Sequence, residues 1–334
     1  MNNLHLIEDE PKNVQQQVPI NFGTMQPTSA VLADYLDVME KRRSGVKTHL
    51  GTGIASLDAA IPGLCENGEL VIVAGRPGMG KTSLGYQLLL SAAHQQKSAF
   101  FFSLEMSNVQ IMERHLAAFA DVPVLKLRNP GQLDEDEELR ISVTMSEFGD
   151  LPLLVDQTPK SIDEIVSQTK FCSANLAADG RPPLGLILVD YLTIVAPSSS
   201  KSTNDLEIKE ICRKLKALAK ELRVPVVALA QLNRSLEQRQ DKRPMMSDLR
   251  ESGSIEQEAD EILFIYRDEV YKPDSPEKGT AQIYTGKRRM LEMGSAKLKF
   301  DGPRMMFCDL DTPAKASAPA ATKKGGSNDW NWHK

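Results

Sequence analysis

The chain has 334 residues, of which 41% are hydrophobic and 25% charged, and a formal net charge of -5. This length holds one large domain or two small ones, and the composition excludes a disordered or fibrous chain. The slightly acidic total excludes a uniformly basic coat, so any contact with nucleic acid has to use local clusters of Lys and Arg.

Residues 1–28 are polar, carry a QQQ run and lack apolar periodicity, so a disordered arm is expected. The opening MNNLHLIEDE has neither the basic start nor the apolar run of a secretory signal. A linker helix is expected over 29–44, with Ser29 as N-cap, Leu32, Tyr35, Leu36 and Met39 along one face, and the basic stretch EKRR suited to a helix C-terminus. Its apolar face either packs on its own domain or docks on a neighbouring subunit. From 45 to 311, apolar strand-like runs alternate with amphipathic helices, the signature of an α/β domain. The expected strands are LVIVAG (70–75), SAFFFSLE (98–105), LPLLVD (151–156), LGLILVD (184–190), VPVVALAQ (224–231) and EILFIYR (261–267). Most are apolar on both faces, as central parallel strands covered by helices are. Capping boxes open helices at Ser107 and Ser161, and Asn204 with Glu207 forms a similar start ahead of Ile208, Ile211, Leu215, Leu218 and Leu222. The run 184–196 is too short to cross a bilayer and contains Asp190. Residues 312–334 turn rich in Ala, Pro, Lys, Gly and Ser and end in NDWNWHK; a disordered tail is expected, with docking of its two Trp residues into a partner as the sharper alternative. Cys65, Cys172, Cys212 and Cys308 form no CxxC pair and read as free thiols of a reducing compartment, which points to the cytoplasm.

GRPGMGKT at 75–82 matches G-x-x-x-x-G-K-[ST], with a strand pattern before it and a helix pattern after it. Gly75, Arg76, Pro77, Gly78, Met79, Gly80, Lys81, Thr82 and Ser83 are therefore the expected nucleotide-binding residues. Backbone N–H groups of such a loop cradle phosphates, Lys81 reaches the β- and γ-phosphates, and Thr82 ligates Mg²⁺. Asp190, closing the run LILVD, fits the second Mg²⁺-organising carboxylate. Tyr191 follows it instead of a glutamate, so the base must come from elsewhere. Glu105 is the best candidate, because it ends a strand whose carboxyl end opens on the same crevice. Gln231, ending another strand, offers an amide able to sense the γ-phosphate. The loop 238–254 holds Arg239, Lys242, Arg243 and Arg250 amid Pro, Ser and Gly. It is either a solvated charged loop or a site that tracks the backbone of single-stranded nucleic acid, and it has no aromatic stacking platform of its own.

These motifs, in this order, resemble the RecA-like motor domain of the DnaB family of replicative DNA helicases. GRPGMGKT, SLEM, LILVDYL, VPVVALAQLNRSLEQR, DKRPMMSDLRESGSIEQEAD, LFIYRDE and GKRR carry the resemblance, which spans residues 29–309. It implies a RecA-like P-loop core with a mostly parallel sheet, ATP and Mg²⁺ as cofactors, Glu105 as catalytic base, and Lys81, Thr82, Asp190 and Gln231 at the nucleotide. It also implies Arg250, Glu251 and Gly253 in the DNA-binding loop, a homohexameric ring on single-stranded DNA moving 5′ to 3′, and loader and primase as replisome partners. Two departures stand out. About 28 residues occupy the place of the family's N-terminal helical domain, in keeping with a phage or mobile-element source, and Met290-Leu291 follow Arg289 where the family has Asn-Gly.

In YTGKRRMLEMG (284–294), Lys287, Arg288 and Arg289 stand in a row. If nucleotide lies between the subunits of a ring, strand alternation sends Lys287 and Arg289 to the neighbour's γ-phosphate and Arg288 to solvent or DNA. A recombinase-type ATPase that binds DNA without unwinding it, and a non-motor adaptor that joins or inhibits a host helicase ring, are the rival readings.

Overall fold

The computed structural model describes residues 26–46, 49–65, 67–158, 160–178, 180–190, 192, 195, 204–249 and 252–310. The expected arm before residue 26 and the tail from 311 onward lie outside them. The chain divides into two units at residue 47. The first contributes α1 (Thr28–Arg43), whose last turn carries Lys41, Arg42 and Arg43. Its N-cap is Pro27, not Ser29: the fixed φ of proline starts the helix and leaves Ser29 inside the first turn.

The second unit runs α2 (Ala55–Ala60), β1 (Leu70–Gly75), α3 (Lys81–His94), β2 (Ser98–Ser103), α4 (Asn108–Phe119), α5 (Val124–Leu127), α6 (Glu135–Gly149), β3 (Leu153–Asp156), α7 (Ile162–Ala178), β4 (Leu184–Asp190), α8 (Asn204–Leu222), β5 (Val226–Gln231), α9 (Ser252–Glu258) and β6 (Glu261–Tyr266). It closes with β7 (Thr280–Arg288), β8 (Ser295–Asp301) and β9 (Met306–Cys308). All nine strands join one sheet in the order β3-β2-β4-β5-β1-β6-β7-β8-β9. β1 to β6 pair in parallel, and β7, β8 and β9 add an antiparallel flank.

The doubly apolar run of β1 explains its central place. Val71 and Val73 share one buried cluster with Leu84, Leu88 and Leu89 of α3, while Leu70, Ile72 and Ala74 share another with Ile208, Ile211, Leu215 and Leu218 of α8. Helices thus cover both faces of an α/β sheet, as the pattern predicts. The strand limits differ from expectation where proline intervenes: Pro152 and Pro225 have no N–H for the ladder, so β3 begins at Leu153 and β5 at Val226. β2 ends at Ser103, so Glu105 lies in a bend beyond the strand. β8 and β9 are unforeseen, because β8 alternates exposed Ser295, Lys297 and Lys299 with buried Ala296 and Leu298 in place of a continuous apolar run. The expected capping boxes at Ser107–Gln110 and Ser161–Glu164 form. Among the described residues no helix is long and apolar enough to cross a membrane, and the four cysteines are unbridged.

Arg288 corrects a sequence expectation. The antiparallel register sets it opposite Glu261, and its Nε donates to Glu261 Oε1 at 2.5 Å, with the two side chains 1% and 4% exposed. Its Nη2 donates to the Pro62 carbonyl at 2.8 Å. Arg288 therefore faces the protein interior, not solvent or DNA. Arg288→Ala should cost about 3–5 kcal/mol in denaturant unfolding, because Glu261 is left buried without its partner. A loss of DNA affinity at unchanged stability would restore the surface reading.

His115 of α4 is 3% exposed, with its ring 4.9 Å from that of Phe119 and 4.3 Å from that of Phe148, and its Nδ1 3.2 Å from the Tyr86 hydroxyl. Burial, with a smaller push from His94, holds its pKa down at about 4 against an ordinary 6.5. The unfolded chain then takes up a proton below pH 6.5 that the folded chain refuses, so stability falls as pH drops from about 6.5 toward 4. Between pH 7 and 5 this group should cost the wild type on the order of 2 kcal/mol, and His115→Gln should lose that much less over the same interval.

Candidate functional site

The parallel register brings four strand ends to one edge of the sheet. Gly75 of β1 stands beside Gln231 of β5, and Ser103 of β2 beside Asp190 of β4. A cleft of about 620 Å³ opens there, lined by the loop between β1 and α3 together with Glu105, Asp190 and Gln231.

The loop is shaped by two left-handed glycines, Gly78 at φ 79° and Gly80 at φ 102°. Gly80 is also the N-cap of α3, and a Cβ there would meet the Phe307 ring at 2.6 Å, so both the backbone and the space demand glycine. The N-terminal N–H groups of α3 consequently point into the cleft, where an anion is favoured. Lys81 Nζ donates to the carbonyls of Gly75 at 2.9 Å and Arg76 at 3.3 Å. Pro77, Gly78, Gly80, Lys81, Thr82 and Ser83 line the cleft directly. Arg76 and Met79 give the loop only main chain. The Arg76 guanidinium turns to Glu237 at 2.7 Å and the Leu232 carbonyl at 2.7 Å, and Met79 is buried in the core.

Burial pushes the Asp190 carboxyl up to about 6, with the Thr82 hydrogen bond opposing and the Glu105 charge adding. Its Oδ2 is buried without a hydrogen-bond partner. Burial also draws the Lys81 ammonium down to about 8, against the pull of Asp190 and Glu105. A buried, unpartnered carboxylate oxygen beside a threonine hydroxyl suits a hard divalent cation. Among the described residues no group of three or more His, Cys, Asp or Glu could hold a metal. Such a cation would therefore share its coordination with a bound phosphate, as Mg²⁺ commonly does.

The cleft contains residues that sequence reasoning missed. Arg114 lies one helical turn beyond Gln110 on the cleft face of α4, and its Nη1 donates to Ser83 Oγ at 3.5 Å. Burial lowers its pKa, while Asp190 and Glu105 pull it up. The capping box at Ser107–Gln110 fixes where α4 starts, so an i, i+4 projection from Gln110 was the available signal. Arg267, just past β6, donates to the Gly78 carbonyl at 2.8 Å and lies 3.8 Å above the Phe300 ring. Nothing in the local sequence links it to the loop, since β6 and β8 supply the pair.

Lys287 and Arg289 lie elsewhere. Lys287 Nζ donates to the carbonyls of Glu256 and, at 2.8 Å, Ala259; Arg289 Nη2 donates to the Gln257 carbonyl. Gly253, in the first turn of α9, is exposed with open space where a Cβ would stand. Arg250 and Glu251 lie outside the described residues. The cations of the loop before them are engaged internally. Arg239 pairs with Asp248 at 2.8 Å, Lys242 lies over the Tyr271 ring at 5.1 Å, and Arg243 over the Tyr266 ring at 5.2 Å. Aromatic platforms are thus present beside the loop, but they come from the end of β6 and the segment after it and carry the loop's own cations.

The family model described as DnaB-like helicase C terminal domain matches residues 45–309. The Replicative DNA helicase DnaB of Haemophilus influenzae is 42% identical over 302 residues, which is 90% of this chain and 63% of that protein. The Replicative DNA helicase DnaB of Geobacillus stearothermophilus is 37% identical over 294 residues, 86% of this chain and 63% of that protein. The chain therefore spans less than two thirds of the length of these curated relatives. Among solved structures, a DnaB-like replicative helicase described with its interactions with primase superposes with a TM-score of 0.76 at 28% identity, over 86% of this chain and 68% of that one. The matched residues take in every strand of the sheet and every lining residue of the cleft, and the chain belongs to the family of the DnaB-like helicase C-terminal domain.

Proposed function

We propose that the chain is the ATP-hydrolysing motor of a ring-shaped replicative DNA helicase that translocates 5′ to 3′ on single-stranded DNA. The observation that carries this reading is the division of charged groups between the two edges of the sheet. The phosphate loop, Glu105, Asp190 and Gln231 line the cleft at the Gly75 end of β1, whereas Arg289 N donates to the carbonyl of Asp260, whose own N donates to Leu70 at the other end. At about 3.3 Å per residue those ends are roughly 17 Å apart, too far to serve one cleft. Copies stacked head to tail would bring one protomer's Lys287 and Arg289 to the next one's nucleotide, and such heterologous contacts generate a ring where the rotation between copies closes. A homohexamer is the ring the family resemblance implies.

In this reading Lys81 neutralises the β- and γ-phosphates, and Arg114 adds positive charge from the same protomer. Glu105, exposed at the cleft, takes a proton from water as the water oxygen attacks the γ-phosphorus and the bond to the ADP oxygen breaks. Gln231 reports the presence of the γ-phosphate to β5. Thr82 and Asp190 would hold Mg²⁺, which supplies charge neutralisation on the phosphates. Arg250, Glu251 and Gly253 contact DNA, with the open space at Gly253 leaving room for a close backbone approach. The cytoplasm of a bacterial cell is the proposed location. One solved neighbour is described with primase, and primase and a loader are the replisome partners proposed here.

Glu105→Gln and Lys81→Ala should each lower DNA-stimulated ATP hydrolysis by about a hundredfold or more, with forked duplex left unwound. Wild-type turnover in either variant refutes the assignment, and a wild-type protein that hydrolyses ATP yet leaves the fork paired is a recombinase-type ATPase instead. Rings mixed from Arg289→Ala and Lys81→Ala subunits should regain hydrolysis that neither has alone. Demonstrated mixing without recovery removes the trans role of Arg289.

A further inference from the structure

Helix α9 is only seven residues long, and a helix of that length is unstable unless its ends are satisfied from outside. Beyond the Ile255 carbonyl, which accepts from Ala259 N at 3.0 Å, its C-terminal end is satisfied by cations. Lys287 Nζ takes the carbonyls of Glu256 and Ala259, Arg289 Nη2 takes that of Gln257, and Lys216 Nζ takes that of Glu258 at 3.0 Å. Four consecutive carbonyls, 256–259, are thus each capped by a positive side chain, where the helix dipole also favours positive charge. Asp260 holds this arrangement: its Oδ1 accepts from Lys216 at 2.9 Å and lies 3.7 Å from Arg289 Nε, while its Oδ2 accepts from the N–H of Leu70 at 3.0 Å.

Three of these four caps come from the two residues assigned above to the neighbouring protomer's phosphates. Each keeps N–H donors to spare, but a side chain that extends to a phosphate on another protomer draws its cationic end away from the carbonyls it caps. The crowding is visible within the chain: burial, followed by the Arg289 charge, pushes the Lys287 ammonium below its ordinary range. A phosphate offers more negative charge than neutral carbonyls do, so a nucleotide across the boundary outcompetes the helix end. At the other end of α9, two helical turns away at most, Gly253 sits in the first turn, separated from Arg250 and Glu251 in the chain by Ser252.

We propose that the C-terminal carbonyls of α9 and the neighbour's nucleotide phosphates compete for Lys287 and Arg289, so that nucleotide arriving across the boundary uncaps α9 and loosens its DNA-contacting first turn. This rests on the trans reading of the two cations and adds what they do when no nucleotide is there. Lys287 and Arg289 are then positioning residues for the DNA contact as well as participants at the phosphate. Lys216, which stays with Asp260, keeps one carbonyl capped and lets the helix re-form when the cations return.

Hydrogen exchange over residues 252–260 of the full-length chain, without DNA, tests this directly. In the wild type, a non-hydrolysable ATP analogue that drives ring assembly should speed exchange in this segment about tenfold, the loss expected from removing cations at a helix C-terminus. The Lys287→Gln/Arg289→Gln double variant should exchange fast with or without the analogue, and its affinity for a fluorescent oligothymidylate should no longer respond to the analogue. Unchanged or slower exchange in the wild type on analogue binding overturns the inference and needs no variant to be folded. A double variant that keeps both the protection and the nucleotide response overturns it as well. Failure of the mixed-ring complementation removes the second docking position, and the inference falls with the trans reading; success there with unresponsive α9 exchange sinks the inference alone.

Discussion

The parallel register of β1 between β5 and β6 is the constraint from which the rest of the molecule follows. Pairing Gly75 with Gln231 fixes the mouth of the phosphate loop against a polar strand end, and pairing Val71 with Glu261 sets β6 so that its first residues meet the start of β1. Each side of this arrangement then inherits a different chemistry. At the carboxyl edge, loop N–H groups and the N-terminus of α3 make an anion site. At the amino edge, Asp260 and Glu261 are buried carboxylates that have to be paired, and Lys216, Arg288 and Arg289 gather around them. This division of an anion site and a cation cluster between the two ends of the strands is what the proposed head-to-tail ring rests on.

Much of this was legible in the sequence because the doubly apolar strands are so distinct. The P-loop, the ends of β1 and β4, and the capping boxes at Ser107 and Ser161 were all placed by local pattern. The cleft residues that escaped notice are those whose position depends on tertiary packing. Arg267 reaches the loop because β6 lies next to β1, and it is held there by Phe300 from a strand that alternates polar and apolar residues and so resembles surface. Arg288 was misplaced for a related reason: period-two alternation correctly separates it from Lys287 and Arg289, but alternation cannot tell which face is covered. Only the presence of Glu261 directly across the ladder decides that.

Arg288 is the fixed member of the triplet, bound to Glu261 on one face of β7, with the Pro62 carbonyl as a second anchor. A strand pinned through its middle cation holds the backbone of its neighbours in place, so Lys287 and Arg289 can change partners by side-chain rotation with little movement of the strand. Under the proposed trans role, long, flexible cationic side chains on a rigid strand suit a reach to a phosphate on another protomer, since hydrogen bonds on both sides of the exchange are charge-assisted.

Met290 and Leu291 are 84% and 50% exposed, immediately beyond Arg289 and beside Glu292, whose carbonyl accepts from Arg288 Nη1 at 3.1 Å. The β7–β8 connection is closed without the left-handed residues that an Asn-Gly turn supplies, because Gly294 and Thr285 carry the closure: Thr285 N donates to the Gly294 carbonyl, and Gly294 N to Thr285 Oγ1 at 2.8 Å. Gly294 is also tied to α2, where a Cβ would stand 2.1 Å from the Ala60 carbonyl. Since Thr285 and Gly294 make the closure and Gly294 the anchor, the register that places Lys287 and Arg289 does not depend on the chemistry of residues 290–291.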